Sequence, residues 1–326
     1  MTAADMVDLW RGDRVESRHR GHAVVCDASG GVVAAWGDAT ATIYPRSSCK
    51  MLQALPWVES GAAAGLGDDL LALACASHQG AAMHTRRVAG WLAAMGMSEA
   101  DLRCGAHPPQ DRAAAEALIR AGEPPCQLHN NCSGKHAGFL AFARHLRAGP
   151  EYVTPDHPVQ RAVRASFEEV TGETSPGHGI DGCSAPNFAT SLAGLARAMA
   201  GFAAARETGG ARARAMVRLR TAMMAHPELV AGEGRACTGL MRALAGRGAV
   251  KTGAEGVFVA ILPGAGLGVA LKIADGAGRA AEAAVAGLLV RLGVLERDAA
   301  VPWLAPGQRN WRGMVTGRLA LAPGFP

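Results

Sequence analysis

Apolar and polar positions along the chain predict strands at both ends and helices between them. His22-Ala-Val-Val-Cys26 and Val32-Val-Ala-Ala-Trp36 flank the turn-like run Asp27-Ala-Ser-Gly-Gly31, which predicts a hairpin over 15–36. Tyr44-Pro45 suits a helix start, and the helix carrying Ser47 and Lys50 is expected to end or kink near Pro56. Asp68-Asp69 is an N-terminal signal for a helix over 70–75, and another is expected from His84 to Met95. Further helical runs begin at Phe139, Arg161 and Phe188. From Val250 the period changes. The runs 256–262 and 267–273, joined by Pro263-Gly264-Ala-Gly266, predict two strands, followed by a helix over 279–292 and a last strand around 310–317.

That order implies an α+β fold: one antiparallel sheet built from both termini, with a helical lobe inserted between its halves. The expected organisation is a single compact unit over 1–326. In it, 1–50 and 245–326 form the sheet lobe, and 51–244 form a mainly helical lobe carrying the polar loops.

Composition narrows the function. Hydrophobic residues make up 49% of 326 residues and aromatic residues 5%, which allows a large core of closely packed helices. The net charge of +5 is mild. Its one basic run, Arg212 to Arg220, reads as the solvated face of a helix whose inner side is Met216, Val217 and Leu219. No aromatic–basic interleaving accompanies it, so nucleic-acid binding is not expected. The first residues lack a basic segment followed by an apolar run, and no stretch approaches the roughly 20 apolar residues of a membrane span. A cytoplasmic location follows as an expectation. The eight cysteines form no C-x-x-C pair, and in a reducing compartment they read as buried thiols or metal ligands.

The candidate chemistry lies between the helices. Ser47 stands three residues before Lys50, which puts hydroxyl and amine on one helical face. Serine needs an adjacent base, and lysine is one only where burial or nearby positive charge lowers its pKa. A second serine, Ser77, follows the helix over 70–75, where the local pattern favours an N-cap role. The segment 124–138, with Asn130-Asn131-Cys132-Ser133-Gly134-Lys135-His136, is dense in polar and metal-capable residues and opens a helix. Gly179-Ile180-Asp181-Gly182-Cys183 is a second such loop, and His226 to Arg235 holds a third.

These motifs carry a resemblance. S-x-x-K at Ser47–Lys50 followed far downstream by Lys251-Thr252-Gly253 resembles the serine β-lactamases and transpeptidases. Their S-D-N element is missing, with Ser77-His78-Gln79 nearest its place, which weighs against lactam hydrolysis. More specifically, Tyr44 to Lys50, Ala76-Ser77-His78, Asn130 to Gly138, Asp156-His157-Pro158, Gly179 to Cys183 and Lys251 to Gly256 resemble the rhizobial-type (class 3) L-asparaginases, over roughly 15–320. The resemblance implies hydrolysis of L-asparagine to aspartate and ammonia by two serine–lysine pairs, Ser47 with Lys50 and Ser77 with Lys251. It implies a zinc ion held by Cys132, Lys135 and Cys183 with water, and a homodimer. A neutral lysine is an unusual zinc ligand, and ligand chemistry alone points to His136 or Asp181 in place of Lys135. Following the resemblance, His136 and Asp181 stand beside the metal or grip the substrate, with Arg46 as a carboxylate partner. Two other functions share parts of this pattern. A penicillin-recognising hydrolase would use the same nucleophile, and a zinc-binding protein without activity would need only the cysteines.

Overall fold

The computed structural model describes residues 2–326. Strands β1 (Ala4–Arg11), β2 (Arg14–Cys26) and β3 (Val32–Trp36) form an antiparallel meander, followed by the short β4 (Thr42–Ile43). A helical region follows: α1 (Lys50–Glu59), α2 (Asp68–Ala74), α3 (Ala82–Ala94), α4 (Arg112–Ala121), α5 (Ser133–His145) and α6 (Pro158–Thr171). The short strands β5 (His178–Ile180), β6 (Pro186–Phe188) and β7 (Thr190–Ser191) interrupt it. Helices α7 (Leu192–Ala204), α8 (Ala211–Ala225), α9 (Pro227–Val230) and α10 (Ala236–Leu244) resume it. The chain returns to the sheet with β8 (Ala249–Thr252), β9 (Val257–Leu262) and β10 (Leu267–Ile273). It ends with α11 (Gly278–Arg291), α12 (Arg297–Leu304), β11 (Gly307–Arg309) and β12 (Val315–Leu321).

The sheet runs β11-β12-β1-β2-β10-β9-β8, with β3 also on β2, and every pairing is antiparallel. The two halves of the sequence meet twice: β2 pairs with β10, from Gly21 opposite Ile273 to Cys26 opposite Gly268, and β1 pairs with β12. All six residues of β9 are buried although they alternate sides, so both faces of the sheet are covered there. Helix α7 packs across β10, β2 and β9, and α11 packs on β9 and β10. At Gly268 a side chain would collide with the backbone of α7 at Ala196 and Ala200, so glycine permits that close approach.

The hairpin over 15–36, the strands 257–262 and 267–273 and the helix after them stand where the pattern put them. Four departures have physical causes. Strand β1 escapes the pattern because Asp5 and Asp8 interrupt its apolar side; Arg18 and Arg20 of β2 neutralise them, with Arg18 Nε 2.8 Å from the buried Asp8. Helix α5 starts at Ser133, not Phe139, since its first eight residues are all buried and show no amphipathic period. Residues 186–191 are short strands, and α7 begins at Leu192, capped by Ser191. The arginines of α8 are not merely solvated. Arg212 pairs with Glu59 and Glu169, while Arg218 and Arg220 donate to carbonyls of 63–66 and 202–205.

Candidate active site

The Ser47–Lys50 stretch enters its helix through a strained residue. Arg46 has φ of +53°, and a 3-10 turn over Arg46–Cys49 runs directly into α1. Ser48 Oγ donates to Pro45 O at 2.6 Å and closes that turn. Lys50, 1% exposed, is the first residue of α1, and its Nζ donates to Ala76 O. The same nitrogen lies 3.0 Å from Ser77 Oγ and 3.1 Å from Cys132 Sγ. Among the described residues Ser47 Oγ takes no hydrogen bond, so Lys50 is turned toward the second serine.

Ser77 does not cap a helix; α3 starts five residues later behind Ala81. Its backbone N–H donates to Val230 O at 2.9 Å, which fixes the residue between α2 and α9. Lys251 Nζ lies 2.8 Å from Ser77 Oγ and donates to Thr252 O at 2.9 Å. One serine hydroxyl therefore sits between two buried lysines, one from the first turn of α1 and one from β8. Burial, followed by the charge of Lys50, pushes Lys251 down to about 7.

Beside this pair lies a corner of sulfur and nitrogen. Lys135 Nζ donates to Cys183 Sγ at 2.9 Å, and Cys132 Sγ lies 3.0 Å from Asn131 Oδ1. The Cys132 thiol donates to Cys183 and holds it well below its ordinary pKa despite burial, with Lys135 adding to the effect. Cys132, as donor, is raised. Burial opposes the Lys135 charge, but Cys183 and Cys132 outweigh it and raise that ammonium. His136 Nδ1 meets Tyr152 Oη at 3.0 Å, while its buried Nε2 has no partner; burial pushes the imidazole down to about 4. Among the described residues no three His, Cys, Asp or Glu side chains gather as a metal site; the third donor beside the two sulfurs is the Lys135 amine. Asp181, on the β5–β6 turn, accepts Arg46 Nε at 3.1 Å, Arg46 Nη2 at 2.9 Å and the Gly182 N–H at 2.7 Å. Burial resists its charge, yet the Arg46 hydrogen bond leaves Asp181 below its ordinary value.

All ten residues singled out from the sequence thus fall in one neighbourhood, although Ser47 and Lys50 are not bonded to each other. Two cavities open on it. One of about 190 Å3 is lined by Arg46, Asp181, Cys132 and Cys183, the other, of about 290 Å3, by Ser77, Arg235 and Glu282. Ser47, Asn131 and Ala254 line both and form the junction. Sequence reasoning gave no role to Asn131, His107, Arg235 or Glu282. His107 Nε2 accepts the Asn131 N–H at 2.9 Å and steadies the junction from a loop whose prolines resemble any surface turn. Arg235 lies in the Gly-flanked loop already noted, whereas Glu282 is one polar residue in an Ala-rich helix and carries no local signal.

The model of the family described as L-asparaginase II matches residues 7–321. No curated protein matches. Among solved structures, a β-lactamase from Mycobacterium bovis has 15% identity, covers 83% of this chain and 94% of its own, and superposes with a TM-score of 0.45. A protein named Mglu, in its native form, has 13% identity, covers 89% of this chain and 70% of its own, and gives a TM-score of 0.48.

Proposed function

The chain belongs to the L-asparaginase II family, and we propose that this amidohydrolase converts L-asparagine to L-aspartate and ammonia through Ser47, Ser77, Lys50 and Lys251. The observation that carries the reading is Ser77 Oγ held between Lys50 and Lys251, with Lys251 brought to about 7, on a cavity that Ser47 also lines.

Ser47, unbonded and at the junction of both cavities, attacks the side-chain carbonyl carbon. Its proton passes to Ser77 as the Ser77 proton passes to the neutral Lys251 amine, and Lys50 keeps the Ser77 oxygen aligned. Among the described residues the backbone N–H groups of Ser47 and Ala254 have no acceptor, and both residues line the cavity. They are the donors for the oxyanion. Collapse of the tetrahedral centre breaks the C–N bond, the nitrogen takes a proton back from Lys251 through Ser77, and ammonia leaves. Water then attacks the Ser47 ester by the same relay and releases aspartate.

The Arg46–Asp181 pair lines the smaller cavity and offers a carboxylate and a guanidinium to the substrate's charged groups. Two sulfurs, the Lys135 amine and the orphaned His136 Nε2 are a soft S and N donor set that suits zinc. Cys132, Lys135 and Cys183 would hold the ion, with His136 and Asp181 adjoining. When bound, zinc supplies a Lewis acid that fixes a carboxylate or polarises an oxygen. Assembly as a homodimer and a cytoplasmic location belong to the same reading; no helix among the described residues is long and apolar enough to cross a membrane.

The test is ammonia release from asparagine by purified Ser47→Ala and Ser77→Ala. Each is expected to lose at least a hundredfold in kcat, the ordinary scale of a lost nucleophile or proton relay. Normal rates from both variants would falsify the mechanism.

A further inference from the structure

Ammonia is a single heavy atom, yet the cavity beside Ser47 and Ser77 has a volume of about 290 Å3. Three charged side chains on its wall, Arg235, Glu255 and Glu282, take no part in the proposed hydrolysis. Arg235 gives one guanidinium N–H to Gln110 Oε1, and its remaining N–H groups have no acceptor among the described residues. Glu282, in α11, makes no hydrogen bond or ion pair among the described residues. Burial raises its carboxyl, and the charge of Arg235 only partly opposes this. Opposite charges that line one cavity without pairing leave each other's desolvation unrelieved. A ligand with an amine and a carboxylate on neighbouring atoms would satisfy both. Gly278, the first residue of the 14-residue α11 that carries Glu282, also lines this cavity.

The junction residues orient such a ligand. An aspartyl group held by Arg46 in the smaller cavity presents its side-chain carbonyl at Ser47. The nitrogen attached to that carbonyl then points into the larger cavity. We propose that the larger cavity is a leaving-group subsite for an α-amino acid, and that the protein also cleaves β-aspartyl amino acids, in which the aspartate side-chain carbonyl is joined to a second amino acid's nitrogen. The inference rests on the serine–lysine reading above. Ser47 Oγ forms a bond to the carbonyl carbon, the C–N bond to the second amino acid breaks, and that nitrogen takes the proton returned from Lys251. Arg235 holds the departing carboxylate and Glu282 the departing amine. Water hydrolyses the ester, giving aspartate and the free amino acid.

The experiment compares the whole protein on asparagine, β-aspartyl-alanine and β-aspartyl-alanine amide, reading ammonia from asparagine and the released alanine or alanine amide from the others. Release of alanine is expected, with kcat/KM at least about tenfold lower for the amide, the usual worth of a hydrogen bond to a charged group. Arg235→Ala should abolish that preference; the wild-type comparison stands even where the variant does not fold. Ammonia from asparagine without alanine from the dipeptide, or equal rates on acid and amide, would overturn the subsite. Alanine release with no asparagine turnover would sustain the subsite and sink the asparagine reading, and no turnover of any substrate would sink both.

Discussion

Ser77 and Lys251 are 174 residues apart, and their 2.8 Å contact is invisible to any local pattern. The sequence supplied them only through the order of several motifs. What the local pattern does contain is the S-x-x-K spacing, and it points to a Ser47–Lys50 bond that the fold replaces with Lys50 against Ser77 and Cys132. Lys50 Nζ is held by Ala76 O, Ser77 Oγ and Cys132 Sγ, and among the described residues no hydrogen bond joins it to Ser47. Lys135 is a similar case: a lone lysine carries no local signal, the resemblance alone named it, and the fold brings its Nζ to 2.9 Å from Cys183 Sγ. With this donor set, the purified protein is expected to carry zinc. Cys183→Ala should lower the metal content measured by atomic absorption to below about a tenth of an ion per chain, since it removes one thiolate of two. Full zinc retention in that variant would remove Cys183 from the ligand set.

The buried stripe of α6 is legible in the sequence, whereas the all-round burial at the start of α5 hides where that helix begins. Helix α6, with Val159, Val163 and Phe167 on one side, was found within a few residues of its ends. Helix α5 was placed six residues late because every residue from Ser133 to Leu140 is buried. Its burial explains how the site is held. A side chain at Gly134 would collide with Leu73 O of α2, so the two helices touch backbone to backbone beside Cys132 and Lys135. Gly134→Ala is expected to cost about 1–3 kcal/mol by overpacking, read as a lowered midpoint in urea unfolding, and to reduce zinc content together with activity. An unchanged midpoint would mean that α5 is free to shift.

Strands from both ends of the chain close one sheet, and that much followed from the order of periods along the sequence. The register did not. The pattern gave no reason to place β1 inside the sheet, because its buried Asp8 is neutralised by an arginine one strand away. Lys251 depends on this assembly: β8 pairs with β9, β9 with β10, β10 with β2, β2 with β1 and β1 with β12. Removal of residues 307–326 strips β11 and β12 and leaves β1 as an exposed edge. The truncation is expected to abolish the cooperative thermal transition or lower Tm by more than about 10 °C, with asparagine turnover falling in parallel. A truncated protein of unchanged Tm would show that the last strands merely decorate the sheet.

The whole arrangement converges on one titration. Lys251 faces Lys50, Cys237, Cys132 and Arg235, and burial with the Lys50 charge brings it down to about 7. A base acts when unprotonated, so kcat/KM for ammonia release should be low at pH 5.5 and climb roughly tenfold per pH unit before levelling above about pH 7. Arginine keeps its proton throughout this range, so Lys251→Arg should lose at least a hundredfold and show no such rise. The pH profile of asparagine hydrolysis by these two proteins is therefore the decisive measurement. A rise through about 7 that vanishes in Lys251→Arg is the predicted result, and wild-type rates with an unaltered profile in the variant would contradict it.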